Sequence, residues 1–388
     1  MRGRSHERTR MKILVATDAW HPQVNGVVRT LSQVAHEAHA LGADLEFLSP
    51  QGFWTLPMPG YAEIRLALTG PGDIERRLDQ TRADCVHIAT EGPIGHAVRR
   101  VCIKRGMPFT TSFHTRFPDY LAERLPLPQR WTTDLTWGWL RRFHAQSAGV
   151  LAATPTLQRE LTGRGFKNVK LWSRGVDAQL FNPARRVDLI DGRALPRPVF
   201  LTVGRVAVEK NLEEFLKLDL PGTRLIVGDG PAREHLSKAY PDAVFVGSKQ
   251  GAELAAIYAS ADVFVFPSRT DTYGLVLLEA LASGVPVAAF PATAPRDVIS
   301  QNLPGAAPVG RLDEDLRQAC LEALELDRAT CREFAERLTW QACAQTFLDL
   351  VTDGARAWRE KRNRKERLKT LFATARASGR RGGNKAAA

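Results

Sequence analysis

The stretch Val263-Phe264-Val265-Phe266-Pro267-Ser268-Arg269-Thr270-Asp271-Thr272-Tyr273-Gly274-Leu275-Val276-Leu277-Leu278-Glu279-Ala280-Leu281-Ala282-Ser283-Gly284-Val285-Pro286-Val287 reads as strand, loop, helix and strand. Residues 263–266 are a short apolar run of the kind buried in parallel sheets, and Pro267, which has no N–H for a ladder, stops it. Residues 275–283 are mostly helix formers, and Gly284 stands where a helix ends in a left-handed residue. A unit of this kind belongs to a parallel α/β sheet. One carboxylate, Glu279, interrupts the apolar helix, with Val276, Leu278, Ala280 and Ser283 around it. Burying it is costly unless something hydrogen-bonds it. The neighbouring sequence offers no cation, so Glu279 either lies on a narrow polar edge or waits for a ligand that carries hydroxyls.

Asp271 sharpens the second choice. An acid at 271, a helix start at Gly274 and an acid at 279 make a strand-end pocket whose free backbone N–H groups suit an anion. The arrangement resembles the E-x7-E element of retaining, nucleotide-sugar-dependent glycosyltransferases of the GT-B fold, in the branch that reads Thr-Asp-Thr-Tyr/Phe-Gly. The resemblance implies that Glu279 holds the donor's ribose hydroxyls and that Asp271 contacts the donor sugar. It also implies that Thr272, Tyr273, Gly274 and Leu275 line the donor pocket. Asp271 stands where the family carries Glu, so its arm is shorter.

Before this unit, residues 199–204 read as a buried strand, followed by Arg205-Val206-Ala207-Val208-Glu209-Lys210-Asn211 and a short helix. Arg205 and Lys210, between a strand end and a helix start, can neutralise a departing diphosphate without a metal, although two cations in a loop are more often plain surface charges. Gly204 to Asn211 resembles the family's G-R-x(4)-K-N element, which implies the first role. The loop Val244-Phe245-Val246-Gly247-Ser248 precedes a helix, and the family uses backbone groups here, at Val246 and Gly247, to meet the nucleobase. Asp313-Glu314-Asp315 spells D-x-D but begins an ordinary helix, where acids suit the dipole, and reads as a cap. No metal is expected.

Toward the N-terminus, residues 12–17 read as a buried strand and Val27, Leu31, Val34, Ala38 and Leu41 as one face of a helix ending at Gly42. The loop between them is no G-x-G-x-x-G, which argues against a dinucleotide oxidoreductase. Gly26 ahead of the helix suits a turn or the close approach of an anion; Asn25-Gly26 resembles the family's loop that closes over the donor diphosphate. His114 follows the strand at 109–113; a lone His is more often a packed or capping residue, but this one stands at the strand C-end, where open α/β sheets bind ligands. The segment from Ser112 to Tyr120 resembles the one carrying the family's donor-sugar histidine. Residues 121–145 interleave Leu125, Leu127, Trp131, Leu135, Trp137, Trp139, Leu140 and Phe143 with Arg124, Arg130, Arg141 and Arg142. This is either a core helix with a wet edge or an interfacial surface. His21, Tyr120, Trp131, Arg141 and Arg142 are the candidate acceptor or membrane contacts. Arg174-Gly175-Val176-Asp177 with Phe181-Asn182-Pro183 resembles the family's hinge signature.

The 388 residues suffice for two domains, and 44% hydrophobic with 25% charged is ordinary for an α/β protein. The net charge of +12 is concentrated at the ends: residues 1–10 carry four Lys/Arg and one acid, residues 356–388 twelve and two. The body between is within one charge of neutral. Such ends suit an anionic bilayer or nucleic acid, or simply keep the chain soluble. The lack of interleaved aromatics in the tail favours the bilayer. Five isolated cysteines, Cys85, Cys102, Cys320, Cys331 and Cys343, form no C-x-x-C pair and fit a reducing compartment. No apolar run reaches the ~18 residues of a spanning helix.

The resemblance implies an α/β fold of GT-B type, two Rossmann-like domains facing each other across a cleft. Residues 1–10 read as a basic extension, 11–183 as the N-terminal acceptor domain, 184–198 as a linker and 199–340 as the nucleotide-sugar domain. A helix at 341–360 crosses back to the first domain, and 361–388 read as a basic, disordered tail. The resemblance implies transfer of a hexose-type sugar from a UDP- or GDP-linked donor to an acceptor hydroxyl, with retention. It points to the bacterial branch that builds glycolipids on diacylglycerol-type acceptors from UDP-glucose, UDP-glucuronate, UDP-sulfoquinovose or GDP-mannose. The expected partners are the nucleotide sugar, a lipid acceptor and, through the tail, an anionic membrane surface at the inner face of the cytoplasmic membrane. The rival readings are a soluble or polysaccharide acceptor, and a basic nucleic-acid-binding protein on a Rossmann scaffold, although no nucleic acid is expected.

Overall fold

The structure is a computed structural model and describes residues 10–23, 25–58, 61–114, 129–299 and 307–382. The first half runs β1 (Met11–Ala16), α1 (Gly26–Ala40), β2 (Ala43–Leu48), the hairpin β3 (Thr55–Met58) and β4 (Tyr61–Ala67), and α2 (Pro71–Thr81). It continues with β5 (Cys85–Ile88), α3 (Pro93–Arg105), β6 (Thr110–Phe113), α4 (Gln129–His144), β7 (Val150–Ala152), α5 (Pro155–Gly163) and β8 (Val169–Leu171). The second half runs β9 (Val199–Val203), α6 (Leu212–Leu216), β10 (Thr223–Val227), α7 (Arg233–Ala239), β11 (Val244–Phe245), α8 (Gly251–Ser260) and β12 (Val263–Phe266). It ends with α9 (Leu275–Ala282), β13 (Val287–Ala289), α10 (Thr293–Ile299), β14 (Gly310–Leu312), α11 (Leu316–Ala323), α12 (Arg328–Glu336) and α13 (Trp340–Gly382).

Each half builds one six-stranded sheet, in the orders β2-β1-β5-β6-β7-β8 and β11-β10-β9-β12-β13-β14. Every pairing within them is parallel. Two doubly wound, Rossmann-like domains result, and in such sheets ligands gather at the strand C-ends. The decisive unit folds as its sequence reads: β12 is wholly buried, α9 starts after Gly274, and Gly284 takes a positive φ of 68° at its end.

The domains are joined at two crossings that touch. Val176 pairs in parallel with Thr339, and a Cβ on Gly175 would lie 2.4 Å from the backbone of Thr339 and Trp340. Only glycine lets the two chains pass so closely. Beyond the crossing, Val176, Phe181 and Ile190 already pack in the core of the second domain. A further contact spans the domains: the Asp297 carboxylate in α10 accepts from Thr156 N–H (2.9 Å) and Oγ1 (2.6 Å) at the start of α5.

After its crossing, α13 returns to the first domain. Trp340, Cys343, Ala344, Phe347, Leu348 and Val351 pack with Ile13, Val15, Leu31 and Val34. The helix then runs on to Gly382, where the sequence analysis expects disorder from residue 361. Two physical reasons account for the difference. Residues 356–382 are rich in Arg, Lys, Ala and Leu, all good helix formers, and they extend a helix already nucleated on the domain, so only propagation is needed. Arg359 and Arg362 also donate to the Asp84 and Gly106 carbonyls, tying its emerging turns to the first domain.

The Trp/Arg surface expected at 121–145 is narrower than the composition suggests. Trp137, Leu140 and Phe143 of α4 are buried in the first domain, because helical periodicity turns that face inward. Leu135 and Trp139 remain exposed, at 74% and 43%, beside Arg141 and Arg142. Tyr120 and the side chain of Trp131 lie outside the described residues.

Candidate active site

Three helix starts face the cleft or flank it, and they differ in what occupies them. At α1 the Asn25 side-chain oxygen accepts from Val27 and Val28 N–H, both at 3.0 Å. At α3 the cap comes from a distant strand: Asp18, after β1, accepts from Ile94 N–H (2.9 Å) and the Thr90 hydroxyl (3.0 Å). Burial raises the Asp18 carboxyl above its ordinary value, against the pull of the Ile94 amide. Gly92 is needed here, since a Cβ would sit 2.3 Å from Asp18 Cγ. At α9 the cap position is Gly274, with φ 79° and no side-chain cap. The amides that start this helix are the natural seat for an anion.

The two capped and uncapped starts of α1 and α9 approach each other across the domains. A Cβ on Gly26 would lie 3.9 Å from Leu275 Cδ1, and Leu275 packs against the cores of both domains. In the same domain as α9, the strand end of β9 and a 3-10 turn (Val208–Lys210) carry Gly204, Arg205 and Lys210. Gly204 leaves no room opposite: a Cβ on Gly228 would stand 1.8 Å from its carbonyl oxygen. The Lys210 ammonium reaches Asp271 Oδ1 at 2.6 Å, while Asp271 Oδ2 is buried without a partner among the described residues. The β11 loop is fixed by Val246 N–H on the Ile226 carbonyl (3.1 Å) and by Gly228 N–H on the Gly247 carbonyl (2.8 Å). Gly247 adopts φ 75° there.

Glu279 corrects one expectation. Its surroundings in sequence contain no cation, yet Arg29 Nη2 of α1 reaches across to Oε1 at 2.5 Å. The Tyr258 hydroxyl of α8 donates to Oε2 at 2.9 Å. Burial first, and then the Glu279 charge, push the Tyr258 phenol well above its ordinary pKa, so it stays a donor. The carboxylate, 3% exposed, is therefore held by one group from each domain.

His114 closes the opposite wall. Its carbonyl accepts from Thr272 Oγ1 at 2.8 Å, a bond between the domains. Arg174, buried and stacked over Trp172, donates to the Trp172 carbonyl (2.6 Å) and lies 3.3 Å from His114 Nδ1. Burial, with the Arg174 charge next, pushes the His114 imidazole well below its ordinary pKa. A guanidinium can only donate, so Nδ1 accepts and the proton sits on Nε2, which is buried and has no partner among the described residues. His87 makes the contrast: it is also buried and pushed down to about 3, but Thr110 and Ser112 hydroxyls take both its nitrogens at 2.9 Å. His87 is a satisfied core residue; His114 keeps one polar atom open.

The sites expected from sequence are thus distributed as follows. Lys210, Asp271, Thr272, Gly274, Leu275 and Glu279 share one wall, Gly26 and His114 face it, and Arg205 follows β9 in the same domain. Tyr273 is buried, with Arg174 5.9 Å from its ring centre. His21 is exposed, its ring 3.4 Å from Ser32 Oγ, and Arg141 bonds the Arg164 carbonyl at 3.4 Å. Asp315 caps α11 through Arg317 and Gln318 N–H, and Glu314 pairs with Arg269, so the D-x-D acids serve the fold. Among the described residues, no group of three or more His, Cys, Asp or Glu could hold a metal. Arg29, Arg174, Tyr258 and Asp18 were not among the site residues expected from sequence, where Arg174 appeared only in the hinge signature. A signal existed for Arg29, three residues after Gly26 and hence on the same helical face.

Known proteins resemble this chain in sequence and in fold. A family model described as Glycosyltransferase Family 4 matches residues 24–180, and one described as Glycosyl transferases group 1 matches residues 197–325. A GDP-mannose-dependent alpha-mannosyltransferase of Mycobacterium tuberculosis is 30% identical over 331 residues, covering 80% of this chain and 87% of that protein. An alpha-monoglucosyldiacylglycerol synthase of Streptococcus pneumoniae is 25% identical over 355 residues, covering 81% and 78%. Among solved structures, sucrose-phosphate synthase from Thermosynechococcus elongatus superposes with a TM-score of 0.67 at 18% identity, covering 89% of this chain and 99% of that one. That likeness speaks for the fold.

Proposed function

The chain belongs to the nucleotide-sugar-dependent glycosyltransferases of the GT-B fold, and from that premise we propose that it moves a hexose-type sugar, with retention, from a UDP- or GDP-linked donor to a lipid hydroxyl such as that of diacylglycerol. The observation that carries the site is the pair of open polar atoms, Asp271 Oδ2 and His114 Nε2, buried on opposite walls. A buried polar atom without a partner is costly, and sugar hydroxyls would relieve both. His114 Nε2–H would donate to one hydroxyl and Asp271 would accept from another. Glu279 would take the ribose hydroxyls.

The reaction breaks the bond between the anomeric carbon and the diphosphate, so negative charge grows on the leaving group. In this reading the uncapped start of α9, with Arg205 and Lys210, would take up that charge as it develops. His114 stays neutral at working pH, so it orients the sugar and does not take a proton. Same-face attack, with the leaving phosphate accepting the acceptor's proton, is the route this arrangement suits best.

The lipid acceptor is supported by the name of the diacylglycerol-glucosylating relative and by the basic end of α13. No helix among the described residues is long and apolar enough to cross a membrane. Attachment would then be peripheral: basic residues near an anionic leaflet contribute about 1 kcal/mol each. Removing residues 361–388 is expected to release the protein from anionic vesicles at moderate salt while transfer to a detergent-dispersed acceptor persists. Sedimentation of the shortened chain with the vesicles would shift the anchor to Leu135 and Trp139.

The function itself is tested by a donor screen. UDP- and GDP-sugars are offered with a lipid extract, free nucleoside diphosphate is scored, and the anomeric configuration of the product is read by NMR. An α-linked glycolipid from an α-linked donor is the expected result. Release of diphosphate only with soluble sugars would reassign the acceptor, an inverted product would refute retention, and release from no donor would refute the whole reading.

A further inference from the structure

We propose that Arg29 is a donor-binding residue that changes partner: it holds Glu279 across the domains and passes to the donor's diphosphate when ribose hydroxyls reach that carboxylate. The inference rests on the donor reading above. It begins from an occupancy problem. Glu279 has one protein donor on each oxygen, Tyr258 on Oε2 and Arg29 on Oε1, and is almost fully enclosed. A ribose that binds there must share with one of them or displace it.

The two donors are not equally able to yield. Tyr258 is fully buried within the same domain, packed against Phe181 and Phe264. Arg29 belongs to the other domain, is 42% exposed, and its side chain makes no other bond among the described residues. Losing Arg29 does not strand the carboxylate, provided hydroxyl groups replace its N–H. Two neutral hydroxyls can supply those bonds. The displaced guanidinium then needs an anion.

One would be at hand. Arg29 and Gly26 are three residues apart on α1 and share a face, and Gly26 stands opposite Leu275 at the uncapped start of α9. The diphosphate expected at that start would lie within the sweep of a side chain anchored one turn away. A guanidinium fork matches phosphate oxygens, which an ammonium does only as a point charge. Arg29 thereby links donor binding to domain closure, because it stands on the first domain while Arg205 and Lys210 stand on the second.

The test uses the full chain as wild type, Arg29→Met and Arg29→Lys, titrated by NMR and calorimetry. Uridine and guanosine are compared with UDP and GDP. Arg29→Met is expected to weaken the nucleoside diphosphate about tenfold or more, and to leave the matching nucleoside unchanged or tighter because its competitor for Glu279 is gone. Arg29→Lys should recover part of the diphosphate affinity and none of the nucleoside gain. Equal weakening of nucleoside and diphosphate would overturn the proposal, leaving Arg29 as a prop for Glu279. No change in either would overturn it as well, making the pair a surface contact. If the wild type binds neither UDP nor GDP, the donor reading fails first and takes this proposal with it.

Discussion

Asp271 and Glu279 stand eight residues apart on one wall of the same cleft, yet the protein treats them in opposite ways. Glu279 sits inside α9 with both oxygens occupied, one by each domain. Asp271 sits in the loop before that helix with one oxygen on Lys210 and the other buried and open. Closing a carboxylate with protein donors fixes its orientation and makes any ligand compete. Leaving one atom open builds a cost into the empty state that a ligand removes. Under the proposed function the difference would give the two acids separable tasks, Glu279 on a part of the donor that is recognised and Asp271 on a part that reacts.

Lys210 is the strongest lever on this contrast, because it is joined to Asp271 and, under the proposed function, would face the leaving diphosphate. Lys210→Ala is expected to lower turnover by roughly two to three orders of magnitude, with little change in folding, since it is a partly exposed loop residue. Steady-state rates at saturating donor decide this. Turnover near wild type would remove Lys210 from the site and dissolve the distinction on the Asp271 side. The other side responds less. Glu279→Gln keeps the shape but halves the acceptor capacity, and should weaken donor binding by ~1.5–3 kcal/mol, about ten- to a hundredfold. A large fall in turnover with unchanged donor affinity would reverse the two roles.

Both acids stood out in the sequence, Glu279 as a lone carboxylate in an apolar helix and Asp271 by its spacing and the resemblance to the E-x7-E element. An acid inside an apolar helix and another in the loop before it are visible without knowing what lies opposite, and the strand, helix and Gly284 around them follow from composition and turn chemistry. That the strands would be of parallel type was read from the buried apolar run at 263–266 and the alternation of strands with helices; their order was not. What the sequence hid is what the fold brings from far away. Arg29 lies 250 residues from Glu279 and reads, on an amphipathic helix, as one more solvated cation. Asp18 caps a helix that begins 75 residues later, and Arg174 is buried beneath His114 although arginines are seldom enclosed. The tail misleads in the other direction: its charge resembles a disordered segment, while its residues propagate a helix nucleated elsewhere. The hidden residues are partners, and partners are a property of the folded chain.

The most direct test of the division between the two acids is calorimetric titration of the nucleoside diphosphate, the donor without its sugar, into Asp271→Asn beside wild type. A group that touches only the reacting sugar should not register its absence. The variant is therefore expected to bind UDP or GDP, whichever the wild type binds, as tightly as wild type or slightly tighter, with Lys210 released, while its turnover falls at least tenfold. If Asp271→Asn instead loses nucleoside diphosphate affinity as Glu279→Gln does, the two acids share one task, and the account of a recognised part and a reacting part is wrong.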